Sequence, residues 1–366
     1  MKFIKLFVSF FSRTLNIISV VFLFITLAAS YISPAKIAII PLLGYLFPVA
    51  VVLNVLFVFA WILRKRWFFW VSTLSLLLSY TQINNLITIS KETSNNNGLK
   101  VMSYNVKNFD LYNWSENLVA QEKIFETIES ENPDVICFQE FYSDTTLKFN
   151  TIKKLKQLGY TYYFFSKELV LRNTEEWGIA TFSKFPIIDT QKILKQEHKS
   201  FYGKFPYKGI CTTIDYNKKH IQIINVHLQS VHFGKEDYKT ITDIKEIEQV
   251  DESGAISLMN KLKKAFKRRA TQADALKQIL NTQQQEYILC GDFNDLPNSY
   301  TYNTISEDLE DVFTENGFGV GSTYSGNIPF LRIDYFLHTQ GVNASDFNII
   351  KNNISDHYPI VARFQL

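Results

Sequence analysis

The first 91 residues of this 366-residue chain contain no aspartate and no glutamate. Long apolar runs fill this stretch, so an ordinary soluble domain with mixed surface charge is excluded there. After residue 97 the composition changes to short alternating segments with 30 basic and 34 acidic residues. Together with the chain length, this contrast predicts two unequal parts.

Cysteine is also scarce. The three cysteines, Cys137, Cys211 and Cys290, each lie inside an apolar, strand-like run. An odd count argues against a disulfide framework, and the absence of C-x-x-C pairs argues against a thiolate zinc site. We therefore predict three buried, free thiols.

A large excess of basic charge is missing as well, since residues 98–366 carry a net charge of −4. Duplex-DNA binders usually carry a basic footprint, so charge counts against that class. One basic cluster, KLKKAFKRR at residues 261–269, lies within a helix-prone stretch over residues 234–283. It is either a solvated helix face or a surface that contacts phosphate or anionic lipid.

Three apolar runs dominate the amino-terminal part. Each approaches the roughly 20 residues that a helix needs to cross a bilayer. They cover residues 15–32, 37–63 and 67–89. We therefore predict a three-helix transmembrane region over residues 1–90. The alternatives are a cleaved signal peptide for the first run and a buried soluble helix for the third.

Basic residues near the ends of these runs predict the orientation. Two clusters favour the cytoplasmic side, one before the first run and one between the second and third. They are Lys2, Lys5 and Arg13, and Arg64, Lys65 and Arg66. Three crossings would then place the carboxy-terminal part outside the cytoplasm. Without the third crossing it would lie in the cytoplasm.

A polar linker over residues 91–98 precedes a domain predicted over residues 99–366. Its pattern predicts one amphipathic helix over residues 117–131, and strands at 99–106, 134–139, 179–183, 210–216, 220–228, 287–291, 333–337 and 359–364. Many strands with helices between some of them predict an α/β fold with two sheets covered by helices. Several strands end in Asn, Glu, His or Asp, where a rigid scaffold presents functional side chains.

Five short motifs at strand ends carry the residue types of a metal-dependent phosphoesterase. They are SYN ending at Asn105, QE ending at Glu140, NVHL around His227, GDFND around Asp292 and Asn294, and the pair RIDY and SDH that contains Asp334, Asp356 and His357. Each alone is ordinary, since such residues also cap turns or lie on surfaces. Their occurrence in one domain, all at strand exits, favours a shared site.

The chemistry explains these residue types. Mg²⁺ and Mn²⁺ prefer carboxylate, carbonyl and water ligands, and they neutralise the charge that develops on a phosphoryl group. An aspartate followed two residues later by an asparagine can deprotonate and orient a water. A histidine held by a second carboxylate can bind the phosphate or supply a proton.

In their order, these motifs resemble the endonuclease/exonuclease/phosphatase superfamily, also called DNase I-like. The resemblance covers residues 99–366. It implies a four-layer α/β/β/α sandwich and a hydrolase that cleaves phosphoesters with Mg²⁺ or Mn²⁺. Combined with the apolar runs, it points to a membrane-anchored bacterial member on the inner membrane, multi-pass, with the catalytic domain on the periplasmic side.

The resemblance also implies residue roles. The metal-binding positions are Asn105, Glu140 and Asp356. The catalytic positions are Asp292, which activates water, Asn294, which orients it, His357, which contacts the phosphate, Asp334, which orients that histidine, and His227, an acid or phosphate contact.

The substrate stays open between a lipid head group, a nucleotide and nucleic acid. The leading interpretation is a phosphodiesterase or phosphatase at a membrane surface, with the lipid bilayer as partner and no obligate protein partner evident. The alternatives are a membrane-anchored nuclease that acts on extracellular nucleic acid, and a non-catalytic membrane scaffold.

Overall fold

The computed structural model describes residues 2–90, 97–111, 119–146, 149–195, 206–231, 236–237, 240, 251–326, 328, 330–352 and 354–366. Residues 91–96 of the predicted linker and 117–118 of the predicted helix lie outside this set. The chain divides into two compact units. The first holds Met1–Ile87, Ser230–Ala273 and Leu296–Thr304; the second holds Thr88–Gln229, Asp274–Asp295 and Ile305–Leu366.

The amino-terminal part of the first unit is helical. Its helices are α1 (Lys2–Leu27), α2 (Ile40–Gly44), α3 (Phe47–Leu63), α4 (Phe69–Leu78) and α5 (Tyr80–Leu86). Pro41 and Pro48 lie in the first turns of α2 and α3, where a missing N–H costs no hydrogen bond. Among the described residues, two stretches are long and apolar enough to cross a membrane, Ser9–Ser30 and Ile40–Leu63.

The structure divides the third helix predicted over residues 67–89 into two pieces. A one-residue interruption at Ser79 leaves α4 with ten residues and α5 with seven. Serine hydroxyls compete with the helical hydrogen bonds here, since Ser75 Oγ donates to Ser72 O and Ser79 Oγ to Ser75 O. Neither piece alone reaches the roughly 30 Å of a hydrocarbon core.

A buried polar network joins α1, α3 and α4. Asn16 Nδ2 donates to Ser72 Oγ at 2.6 Å, and Asn16 Oδ1 accepts from Trp61 Nε1 at 2.9 Å. Ser72 Oγ in turn donates to Asn54 Oδ1 at 3.0 Å. Hydrogen bonds between polar side chains are a recurrent contact between helices packed in apolar surroundings.

Two later segments belong to the same unit. Helix α8 (Glu252–Leu280) begins there, so the helix predicted within residues 234–283 is confirmed over this range. The Phe266 ring lies 6.3 Å from that of Tyr45. Asn298 Nδ2 donates to Gly44 O, and Ser30 Oγ donates to Asn298 O, both at 2.7 Å.

The second unit is built on two six-stranded sheets. In chain order the strands are β1 (Thr88–Ile89), β2 (Leu99–Asn105), β3 (Val135–Asp144), β4 (Tyr162–Leu171), β5 (Glu175–Ser183), β6 (Ile187–Lys195), β7 (Tyr207–Tyr216), β8 (Lys219–His227), β9 (Tyr287–Asp292), β10 (Glu310–Asp311), β11 (Phe318–Gly319), β12 (Asp334–His338), β13 (Asn343–Ile349) and β14 (Ile360–Gln365). Strands β1 and β11 form a separate two-stranded sheet. The helices are α6 (Ala120–Glu131), α7 (Thr151–Gln157), α9 (Tyr300–Ser306), which begins in the first unit, and α10 (Val312–Asn316).

The first sheet has the order β13-β14-β2-β3-β5-β4 and the second β10-β12-β9-β8-β7-β6. Side chains alternate between the two faces of each strand, and those on the inner faces fill the space between the sheets. Val101 and Cys137 of the first sheet share this core with Ile223 and Cys290 of the second. On the outer face of the first sheet, residues such as Phe138 pack with α6. The predicted two-sheet α/β fold is confirmed, and all three cysteines are buried and free.

Candidate active site

The site forms where two parallel strand pairs end. In the first sheet β2 runs parallel to β3, which places Asn105 opposite Gln139. In the second sheet β8 runs parallel to β9, which places His227 opposite Asp292. Antiparallel β12 pairs Asp334 with the same Asp292. Residues far apart in sequence therefore meet at one edge of the sandwich.

A hydrogen bond holds the two sheets together behind this edge. Gln139 Nε2 in β3 donates to Asn225 Oδ1 in β8 at 2.7 Å. Asn225 Nδ2 donates back to the carbonyl of Ala180 in β5 at 3.0 Å. Both amides are fully buried, so these bonds fix the spacing of the sheets next to the site.

Glu140 is oriented by a β-bulge. The pairing of β3 with β5 shifts register between Phe138 and Phe141. Glu140 has a φ of 50°, a conformation that residues with a Cβ seldom adopt. Bulges redirect side chains next to active sites, and here Asn105 Nδ2 lies 3.4 Å from Glu140 Oε1.

The end of β9 requires a glycine, and the turn after it requires an asparagine. Gly291 has a φ of 136°, and a Cβ on it would lie 1.9 Å from the carbonyl oxygen of Val226. Asn294 also has a positive φ, 54°, and its backbone N–H donates to Asp292 Oδ1 at 2.8 Å. This turn presents the Asp292 carboxylate with the Asn294 amide beside it.

Four side-chain nitrogens surround one oxygen, Oδ2 of Asp292. The amides of Asn105 and Asn294 donate to it, each at 3.0 Å. The Nε2 atoms of His227 and His357 both lie 3.7 Å away. Asp292 is 1% exposed, so these groups enclose its carboxylate almost completely.

His357 is held by a carboxylate. Its Nδ1 lies 2.9 Å from Asp334 Oδ2, so the ring presents Nε2 toward Asp292. Thr323 Oγ1 accepts from the Asp334 backbone N–H at 3.1 Å. The Tyr324 ring packs edge-on against the imidazole at 5.5 Å. Contacts to Asp334 and to the imidazole thus fix the pair formed by His357 and Asp334, called the His357–Asp334 dyad below.

Burial and neighbouring charge shift the pKa values of the site. Burial raises the pKa of Asp292 to about 7, although the nearby His357 favours its charged form. Burial alone would lower the pKa of His357, but the carboxylates of Asp334 and Asp292 outweigh it and raise that pKa well above its usual value. The pair therefore titrates as a unit, with the imidazole holding a proton more firmly.

Glu140 and Asp356 form the acidic side of the site. Desolvation, and then the charge of Asp356, raise the pKa of Glu140, whose side chain is 32% exposed. Asp356 Oδ2 pairs with Lys107 Nζ at 3.0 Å, and Asn105 Oδ1 accepts from the Lys107 backbone N–H at 3.1 Å. The two neighbouring carboxylates offer oxygen ligands of the kind that a hard divalent cation prefers. The amide of Asn105 turns its nitrogen toward Glu140 and its oxygen toward the Lys107 backbone.

The family comparison agrees with this arrangement. Residues 102–357 match the model of the endonuclease/exonuclease/phosphatase family. The chain belongs to the endonuclease/exonuclease/phosphatase family. Members of this family are phosphoester hydrolases. Residues 5–86 match a second family model, described as a domain of unknown function.

Solved structures of similar fold include three that cover 73% of this chain. The human Nocturnin catalytic domain with bound sulfate is 20% identical over 94% of its own length, with a TM-score of 0.50. A family protein from Leptotrichia buccalis is 18% identical over 100% of its own length, with a TM-score of 0.48. Sphingomyelinase C from Streptomyces griseocarneus is 15% identical over 99% of its own length, with a TM-score of 0.46. The Nocturnin likeness shows the fold alone. A comparison with curated protein sequences found no match.

All eight predicted site residues lie at this edge of the family fold, and their predicted roles stay predictions. Sequence reasoning missed Lys107, Thr323 and Tyr324. Lys107 follows the predicted Asn105 by two residues, which was the available signal, whereas Thr323 and Tyr324 lie in a loop whose sequence gives none. The arginine of the RIDY motif is structural: Arg332 is buried, pairs with Asp311 at 2.7 Å and stacks over Phe313.

Proposed function

We propose that the chain is a metal-dependent phosphoester hydrolase, a phosphodiesterase or phosphatase tethered to a membrane. One observation carries the proposal: four side-chain nitrogens converge on the Asp292 carboxylate next to Glu140. Donors in that arrangement suit a phosphoryl group, whose oxygens need several hydrogen bonds at once.

Glu140, Asp356 and the amide oxygen of Asn105 would hold Mg²⁺ or Mn²⁺. When bound, the cation supplies positive charge to a phosphoryl oxygen and lowers the pKa of a coordinated water. Lys107 is paired with Asp356 on the outer side of this group.

Asp292 accepts a proton from the attacking water, because its pKa near 7 suits a general base at neutral pH. The oxygen of that water forms a bond to phosphorus as the ester P–O bond breaks, and the leaving oxygen departs as an alkoxide that takes a proton from solvent. Asn294 orients the water or a phosphoryl oxygen. His357, kept protonated by Asp334, donates to the phosphoryl group, and His227 contacts it from the side of Glu140.

Outward-facing apolar side chains support the membrane tether. Only 22% of each of the two candidate spans is buried, and Phe10, Phe59 and Leu63 are among their most exposed residues. A soluble surface rarely exposes so large a continuous apolar area. Together α4 and α5 span about 26 Å, and α4 bonds to α1 and α3 through Ser72. A third crossing by this broken pair, with the domain outside the cytoplasm of a bacterial inner membrane, remains our proposal.

The alternatives have less support. A nuclease would use a basic groove, but residues 98–366 carry a net charge of −4. A non-catalytic scaffold would not need to keep Asp292, His357 and Glu140 in hydrogen-bonding geometry.

Turnover by the full-length chain in detergent tests the proposal. The substrates are bis(p-nitrophenyl) phosphate, p-nitrophenyl phosphate, phospholipid micelles and plasmid DNA, each with Mg²⁺, with Mn²⁺ or with a chelator. We expect metal-dependent turnover that Glu140→Ala abolishes and Glu129→Ala, on an exposed face of α6, preserves. If folded, metal-loaded protein turned over none of these substrates, the proposal would be overturned. If it nicked plasmid DNA and turned over none of the other substrates, the nuclease alternative would be favoured.

A further inference from the structure

A groove of ≈ 730 Å³ lies in the second unit. One of its lining residues, Tyr324, packs against His357. Its walls are mixed: the apolar Phe318, Val320, Phe330 and Phe347 lie beside Tyr324, Lys351 and several serines and asparagines. Among the described residues that line it, Lys351 is the one with a charge. This volume lies in the range of sites that bury most of a small organic ligand.

Glycines form part of the groove wall. Gly321 has a φ of +64°, and a Cβ on it would lie 2.4 Å from the Phe313 ring. The loop can therefore approach Phe313 closely only with glycine at this position.

Large apolar side chains project outward at this groove. Ile89 is 83% exposed, Phe318 79% and Phe330 72%, the highest values among the described large apolar residues of the second unit. Ile89 pairs with Phe318 across the β1–β11 ladder. Such a patch usually marks a surface that binds protein or membrane.

The groove lies one side chain away from His357. Tyr324 lines it and packs against His357. Ser325 N donates to Asp356 O, and Ser325 Oγ donates to Ser355 O, both at 2.8 Å. A phosphoester bound beside Tyr324 would therefore lie one side chain away from His357.

The chain itself connects this patch to the proposed membrane region. Strand β1 starts at Thr88, and a single residue, Ile87, separates it from the end of α5. Ser90 then lines the groove and its N–H donates to Gly317 O at 3.2 Å. The wall of the groove is thus formed by the first residues that follow the last amino-terminal helix.

We propose that this groove binds a membrane phospholipid as substrate, with hydrocarbon over Phe318, Val320 and Phe330 and the phosphoester toward Tyr324 and His357. Exposed aromatic rings of this kind insert at the boundary between head groups and acyl chains. The inference deepens the proposed hydrolase and rests on its membrane tether.

The test uses the full-length chain in detergent micelles with increasing mole fractions of phospholipid. The variant Phe318→Ala/Phe330→Ala is compared with Tyr162→Ala/Ile188→Ala, which removes two exposed apolar side chains elsewhere on the second unit. We expect the first variant to raise the KM for phospholipid at least about tenfold, with unchanged turnover of bis(p-nitrophenyl) phosphate. The control should behave as wild type on both substrates.

A binding assay separates this inference from the proposed function. Asp292→Asn, alone and with both phenylalanine substitutions, is titrated with a pyrene-labelled phospholipid. Weaker binding on loss of the two rings supports the groove even if wild-type protein turns over nothing. Unchanged lipid KM and binding, or an equal loss on both substrates, would overturn the inference.

Discussion

At the scale of single residues, Asp292 combines an enclosed position with a charge that its surroundings disfavour. Its pKa is raised from 3.8 to about 7, so the folded protein retains a proton that the unfolded chain releases between these values. Stability of the metal-free protein should therefore fall as pH rises from about 4 to 7 and stay low above that.

Replacing this carboxylate tests the pKa. In the presence of a chelator at pH 8, we expect Asp292→Asn to have a higher free energy of unfolding than wild type, by up to roughly 4 kcal/mol. It should therefore unfold at a higher temperature. At about pH 3 the two proteins should unfold together, because Asp292 is then largely neutral in both the folded and the unfolded state. Thermal unfolding at both pH values checks this, and a difference that persists at about pH 3 would contradict it.

The His357–Asp334 dyad gives a second prediction. Asp334→Asn removes the carboxylate that most raises the pKa of His357, so the imidazole should lose its proton at lower pH. The alkaline limb of the kcat profile should shift to lower pH, with kcat reduced about 100-fold. Asp189→Asn, on an exposed strand position, serves as control. An unchanged alkaline limb would show that protonated His357 is not the group that contacts the phosphoryl oxygens.

The residues of the site were predictable because their types and order are restrictive, whereas their contacts were not. Nothing in the sequence indicates that Lys107 would occupy the second oxygen of Asp356, or that Gln139 and Asn225 would join the sheets. These contacts depend on the packing of two sheets whose relative placement sequence patterns leave open.

At the scale of elements, all eight predicted strands are present, and the three longer strands that were missed are edge strands. These are β4 and β13 in the first sheet and β6 in the second. Central strands are buried on both faces and give continuous apolar runs. The edge strands keep many exposed positions, as in β6, so their sequences lack that signal.

The end of β9, where Gly291 lies, gives a prediction at the scale of elements. Gly291→Ala should lose at least about 2 kcal/mol of stability and most activity, since its Cβ would strike the Val226 carbonyl and separate His227 from Asp292. Gly159→Ala is the matched control, because Gly159 also has a positive φ (95°) but no atom within 4 Å of the added Cβ. We expect it to cost about 1 kcal/mol and leave turnover unchanged. Equal effects of the two substitutions would show that steric contact at Gly291 is unimportant.

At the scale of the whole molecule, the two units do not correspond to the two ends of the chain. Residues 230–273 and 296–304 cluster with the amino-terminal helices, which a linear reading of composition could not predict. A fragment that starts at residue 97 would lack Tyr45, Gly44 and Ser30, the partners of Phe266 and Asn298.

Limited proteolysis tests this organisation. Arg269 is 1% exposed in the full chain, so trypsin should cut near it at least about tenfold faster in a fragment of residues 97–366. The exposed turn at Lys218 and Lys219 should be cut at equal rates in both proteins. Equal rates near Arg269 would show that the amino-terminal helices do not protect α8.

The most direct test of the central claim follows Mn²⁺ binding and turnover together. Full-length, metal-free protein is titrated with Mn²⁺ by calorimetry, and bis(p-nitrophenyl) phosphate hydrolysis is measured at each concentration. We predict that both saturate together in wild type, that Glu140→Gln loses both, and that Asn294→Ala keeps binding but loses at least about 100-fold in turnover. Hydrolysis that persists in chelator, or that survives Glu140→Gln, would contradict the account.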